Sequence, residues 1–183
     1  MGDLTLIQTV MEWLGLTVND DNLLLARLIT AASGFIETYI GYRVASQTYA
    51  EVRDGHGGNR LAFGKPPLTA VASVKVDGVA IPAAATVAAA GYRFKATLLW
   101  LNGYSFNLGT GNVEVACTRG WAETPADLEQ ACIELVALRY KERDRIGQVS
   151  KSLGDGQTVS FWLKDMPDSV RTVLNAYRKV APV

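Results

Sequence analysis

A chain of 183 residues, 49% apolar and 20% charged, has the length and composition of one soluble globular domain, or of one domain carrying a small insert. Eighteen lysines and arginines balance eighteen aspartates and glutamates, which argues against a protein whose main task is gripping nucleic acid, since such proteins carry a basic excess. Cys117 and Cys132, the two cysteines, fall in apolar periodic segments and read as small buried hydrophobes, not as a disulfide framework or a metal knuckle.

Residues 4–14 predict a helix, because Leu4, Ile7, Met11 and Leu14 share one face of a 3.6-residue period and Gly15 follows as a stop. After a link containing the candidate caps Thr17, Asn19 and Asp20, a second helix is expected over 21–40, with Leu24 or Leu25, Leu28, Ala31 or Ala32, Phe35 and Tyr39 along its stripe and Gly41 at its end. The acidic pair Asp20 and Asp21 suits the positive end of that helix. The short link makes the two a helical hairpin. Arg27 and Glu37 interrupt the most apolar stretch, so the segment reads as amphipathic and too polar to cross a bilayer. Asp3 and the lack of a basic start argue against a signal peptide.

From Tyr42 the period shortens to two. Strands are expected at 47–53, 60–63 and 70–76, the first two separated by the glycine-rich 54–59 and the last two by Pro66 and Pro67. Asp77-Gly78 before Val79, Ala80 and Ile81 is a two-residue hairpin signal. The alanine-rich 83–90 is ambiguous. Residues 92–101 read as one or two strands, Asn102-Gly103 as a second hairpin turn, and 113–119 as an alternating strand. Residues 43–119 thus form a β-rich insert of about five to seven short strands.

Helical signal returns at Thr124-Pro125, read as N-cap and first helical position, with Asp127 and Glu129 in the first turn and a helix expected to about Ile146. Residues 147–157, rich in Gly, Ser and Gln, read as a flexible loop. Pro167 opens a last helix over 168–180, with Val170, Val173 or Leu174, and Tyr177 on one face. The fold class expected is α+β. About four helices, an N-terminal hairpin (1–42) and two C-terminal helices (120–183), form a bundle, and the insert (43–119) consists of short antiparallel strands.

Little in the chain suggests catalysis. The single histidine, His56, lies in a glycine turn with Asp54 as the nearby carboxylate and no nucleophile elbow. The glycines around it lack the Gly-Lys-Ser/Thr ending and the following helix of a phosphate loop. No metal-ligand cluster or cofactor motif is expected. Trp13, Trp100, Trp121 and Trp162 could stack on sugars or bases, but large aromatics more commonly fill a core or an interface. The basic residues of 139–151 alternate with Glu142 and Asp144, as on a solvated helix face. Residues 1–41 carry a net charge of −4 and 42–120 a net of +4. Such asymmetry favours head-to-tail self-association, and two merely solvated surfaces would give the same counts.

The order of these elements resembles the head-to-tail connector, or adaptor, proteins of long-tailed double-stranded DNA phages. The resemblance rests on Glu12-Trp13-Leu14-Gly15-Leu16 before an acidic patch; on Ala31-Ala32-Ser33-Gly34-Phe35-Ile36-Glu37 in the second helix; and on the strand, glycine turn and proline order from Tyr49 to Val76. Further along, it rests on Gly120-Trp121 before the Thr124–Leu128 helix start, on the helix centre at 131–140 with its exit at Arg143 and Gly147, and on the terminal helix from Pro167 to Arg178. Compact members of that family are mostly helical, so the large β insert is a departure.

The resemblance implies a non-catalytic structural subunit of the virion neck, assembled in the host bacterial cytoplasm. It would form a ring, usually of twelve copies, beneath the portal, extending the DNA channel and meeting the next neck or tail protein. DNA would pass through without sequence-specific binding, and no membrane would be involved. Within that frame Gln148, Ser150, Lys151, Ser152 and Asp155 are expected at an interface or channel loop, and Arg171, Tyr177, Arg178 and Lys179 on a portal-docking helix. Other readings are a stopper or tail-completion protein of the same neck, a small hydrolase using His56, and a carbohydrate-binding module built on the insert.

Overall fold

A computed structural model describes residues 2–17, 21–143, 150–153, 157–160 and 166–178. The chain is α+β and divides into two units, residues 1–40 with 125–177 and residues 41–124 with 178–183.

The first unit holds α1 (Ile7–Leu14), α2 (Asn22–Ile40), α3 (Ala126–Glu142), a two-stranded antiparallel sheet of β8 (Ser150–Leu153) and β9 (Gln157–Ser160), and α4 (Asp168–Tyr177). α1 begins three residues later than the periodicity suggests, because Leu4 stays outside the helix, buried, with its N–H donated to Ser33 Oγ at 3.0 Å. Gly15 closes α1 at φ +67°, a left-handed conformation that favours glycine. By length and composition α2, with a mean hydropathy of 1.4, is apolar enough to cross a membrane, which corrects the reading of it as too polar. The buried stripe is Leu25, Ile29, Ala32, Ile36 and Ile40, with the expected Leu28, Phe35 and Tyr39 only half-buried at its edge, and α3 packs against the helix. α3 contributes Leu128, Cys132, Leu135 and Val136 to this core, and α4 adds Val170 and Leu174.

Several helix ends differ from expectation. Pro125, not Thr124, occupies the cap position of α3, and its carbonyl accepts the Glu129 N–H at 2.9 Å. At the start of α2 the Asp21 carbonyl accepts the Leu25 N–H at 2.9 Å, and its carboxylate accepts from Tyr140 and Arg143 of the α3 end. α4 ends at Tyr177, not at 180. Within the expected loop 147–157, residues 150–153 pair with 157–160 in an antiparallel hairpin, Ser150 opposite Ser160 and Leu153 opposite Gln157. The alternation of Ser150, Lys151, Ser152 and Leu153 is compatible with a short strand, and composition alone concealed it.

The second unit holds seven strands in two sheets. β1 (Gln47–Gly55), β7 (Gly109–Arg119), β3 (Leu68–Val76) and β4 (Val79–Ile81) form one antiparallel sheet, in that order. β2 (Arg60–Ala62), β6 (Leu98–Asn102) and β5 (Gly91–Lys95) form the other. Both sheets supply one core, with Val74, Val113, Val115 and Cys117 from the first and Leu61, Tyr92, Leu99 and Leu101 from the second, and Phe106 between β6 and β7 fully buried.

Asp77-Gly78 forms the expected tight turn, with φ +51° and +79°. Asn102-Gly103 does not. β6 and β7 lie in different sheets, and the Asn102 amide donates to the carbonyls of Ala88 and Ala89, both at 2.9 Å, anchoring the alanine-rich segment. The β5–β6 turn lies instead at Ala96-Thr97, whose carbonyls accept N–H groups from Leu68 (2.7 Å) and Phe63 (2.8 Å). The unit's entry and exit run side by side. Ala45 bridges Trp121, Ser46 N–H donates to Trp121 O, Trp121 N–H donates to Val44 O, both at 3.0 Å, and the Tyr42 and Trp121 rings lie 5.9 Å apart.

Candidate functional site

Strand alternation places Tyr49, Glu51 and Arg53 of β1 on the same face as Val113, Val115, Cys117 and Arg119 of β7, their cross-strand partners being in register. A charge at the end of an inward-facing row must find partners or be expelled. Arg119 finds them: Nη1 donates to Glu51 Oε1 at 2.6 Å, and Nη2 donates to the carbonyls of Phe63 (2.7 Å), Lys65 (3.2 Å) and Pro66 (3.3 Å). Arg53 donates from Nε and Nη2 to Glu51 Oε2 at 2.9 and 2.7 Å, and from Nη1 to Ala62 O at 2.7 Å, while its guanidinium lies 4.4 Å from the Phe63 ring centre. Burial pushes the Glu51 carboxyl up, but the two arginines outweigh it and hold the group below its usual range. Every strong partner here is internal, so the cluster acts as a clamp on the 62–66 connection.

A second polar cluster stiffens one end of the same unit. Asn107 Nδ2 and Asn112 Nδ2 donate to the two Asp77 oxygens at 2.7 and 2.9 Å, Gly55 N–H donates to Asn112 Oδ1 at 2.9 Å, and Gly111 N–H donates to Asp54 Oδ1 at 2.6 Å. The two asparagine donors hold the Asp77 carboxyl below its usual range. Gly55 is required here, because a Cβ on it would lie 1.8 Å from the Asn107 carbonyl oxygen. On this braced backbone stand the exposed Val79, Tyr104 and Leu108, the last 84% accessible. Large apolar side chains held outward on a rigid frame suit burial against another chain.

Among the residues singled out from the sequence, Ser150, Lys151 and Ser152 lie in β8, paired with Ser160, Val159 and Thr158. Gln148, Asp155, Lys179 and Trp162 lie outside the described residues. Arg171 is exposed on α4, Arg178 is exposed just after it, and the Tyr177 hydroxyl donates to Asp127 Oδ1 at 2.7 Å. His56 stacks on Phe106 with ring centres 6.2 Å apart. Arg139 lies over the Phe35 ring at 5.5 Å, and Arg143 pairs with Asp21 at 3.2 Å. Burial pushes the Cys132 thiol up to about 11, and its sulfur lies 3.7 Å from Ser33 Oγ. Among the described residues no group of three or more His, Cys, Asp or Glu side chains is placed to hold a metal ion.

Comparison with known proteins extends this picture. The model of a family described as head completion protein matches residues 3–180. No curated protein matches the chain. Solved structures similar in fold include the following three. A chain in the neck of an empty gene transfer agent (GTA) particle computed with C6 symmetry shares 20% identity at a TM-score of 0.58. One in the neck of a native particle computed with C12 symmetry shares 20% at 0.55. One in the virion of a native particle shares 18% at 0.57. In each case the similarity covers 100% of this chain and 96% of the other.

Proposed function

The chain belongs to the head completion protein family, and from that premise we propose that it is a head-to-tail connector subunit that closes into a ring under the portal. It is a structural protein of the particle neck. The family match over residues 3–180 carries the reading, because it spans both units and not one local motif. The C6 and C12 symmetry of the similar necks supports a ring, of about twelve copies, as the working form.

In such a ring each copy uses two different faces against its two neighbours, and closure depends on their angle. The work is then geometry and interface energy, with no catalytic step. The braced apolar end bearing Val79, Tyr104 and Leu108 supplies one such contact. We assign the β8–β9 hairpin, with Ser150, Lys151 and Ser152, to the channel or to the next ring. Exposed Arg171 and Arg178, with Tyr177, face the portal. The four helices act together as a bundle that carries the inserted β unit.

The test is mass by light scattering of the purified protein, alone and mixed with portal protein from the same genome. Stoichiometric rings or co-migration with portal are expected. A strict monomer that ignores portal at micromolar concentration would overturn the reading and favour the β unit as a ligand-binding module.

A further inference from the structure

The outer face of the three-stranded sheet carries charge without compensation. Cross-strand pairing sets Arg60 and Arg93 on either side of Trp100, and Ala62 and Lys95 on either side of Leu98. Directly paired residues share a face, so three cations, a tryptophan and a leucine form one surface, while Leu61, Leu99 and Leu101 point into the core. The Arg93 guanidinium lies 5.6 Å from the Trp100 ring centre. Arg60 and Lys95 are exposed, Arg93 and Trp100 half-buried. Among the described residues none of these three cations has a carboxylate within ion-pair distance. Arg60 also borders an open cleft of about 490 Å³ lined by Val52, Arg53, Asp54, His56, Leu61 and Ala62. Its one carboxylate, Asp54, is engaged by Gly111 N–H.

Such a face calls for an anionic partner. Several carboxylates of a second copy are already engaged, Glu51 by Arg53 and Arg119, Asp21 by Tyr140 and Arg143, and Asp77 by Asn107 and Asn112. Of the acids in residues 1–41, Asp21 is engaged and Glu37 buried, whereas Asp3 and Glu12 are exposed, so a contact between copies is the competing outcome of the test.

We propose that the outer face of the β2–β6–β5 sheet, through Arg60, Arg93 and Lys95 around Trp100, contacts the phosphate backbone of duplex DNA. Adjacent strands lie about 4.8 Å apart and alternate residues of one strand about 6.8 Å apart. The three backbone positions thus sit within about 12 Å of one another, close enough to meet two or three phosphates. The contact is to the backbone and reads no sequence, because cations on a sheet face meet phosphate oxygens, and the one amide of this face, Asn102, is held by the carbonyls of Ala88 and Ala89. Few contacts per copy, repeated around a ring, would hold the duplex centred yet free to slide. The choice of DNA as the polyanion rests on the neck reading given above.

The test is fluorescence anisotropy of a labelled 20-bp duplex of arbitrary sequence, titrated with the full chain from 20 to 200 mM KCl, with mass measured in parallel. Affinity should fall with salt at a log–log slope of about −2 to −3, and scrambling the duplex should leave it unchanged. The triple variant R60Q/R93Q/K95Q should lose at least tenfold in affinity and most of the slope. K95E alone, at an exposed strand end, should lose affinity with an unaltered melting curve. Absence of salt-sensitive binding at 20 mM KCl, or variants that bind like the parent, would overturn the proposal. So would a triple variant that loses ring assembly without DNA, which would make the face a contact between copies. Rings that form without binding DNA defeat this inference alone, whereas DNA binding by a strict monomer that ignores portal defeats the neck reading alone.

Discussion

With its guanidinium donating to Glu51 and to the carbonyls of Phe63, Lys65 and Pro66, Arg119 joins a central strand to the connection between β2 and β3. Arg119→Ala would leave Glu51 with Arg53 alone and orphan buried carbonyls, at a cost of about 3–5 kcal/mol, measurable in urea unfolding. Glu51 sets an acid limit. Its folded carboxyl lies below the ordinary 4.5, so its contribution is complete above about pH 4.5 and fades as pH falls through the folded value. Melting curves from pH 3 to 7 should therefore show a steeper acid decline in the parent than in Glu51→Gln, and parallel declines would refute the linkage. The inward position of Arg119 was legible, since it continues the parity of Val113, Val115 and Cys117. Its partners were not, because Glu51 and the 63–66 carbonyls lie 53 to 68 residues away in sequence.

At the scale of elements, the local signals that succeeded were those in which the backbone itself demands a residue type. Asp77-Gly78 turned as expected because both positions have positive φ. Asn102-Gly103 carries the same chemistry, yet the asparagine amide holds the 88–89 carbonyls and the chain passes to the other sheet. Ala96-Thr97 turns with no sequence signal, because carbonyl partners come from residues around Gly64. The Asp77 cluster allows a direct test. Asp77→Ala removes the acceptor for Asn107 and Asn112, so hydrogen exchange should quicken over residues 103–112 while the central strand β7 beyond Val113 keeps its protection. Uniform loss of protection would mean that the cluster supports the whole unit.

For the molecule as a whole, composition and period change revealed helices on either side of a β segment, but not the strand order. β7 enters between β1 and β3, pairings that span about sixty and forty residues and leave no local trace. Arg171 stands exposed on α4 and Arg178 exposed just beyond its end, within the stretch expected to be helical, whereas the basic sheet face depends on cross-strand register. Arg171→Glu with Arg178→Glu should weaken co-migration with portal at least tenfold and leave the melting temperature unchanged; undiminished co-migration would remove α4 from that role. The Ala45–Trp121 bridge has a bearing on how such a protein can change over time. Because the β unit's two ends leave and return at neighbouring points, it forms a cassette. Lineages could enlarge, trim or exchange it at a loop-closure cost that grows only slowly with length, so neck proteins of very different size could keep one helical frame.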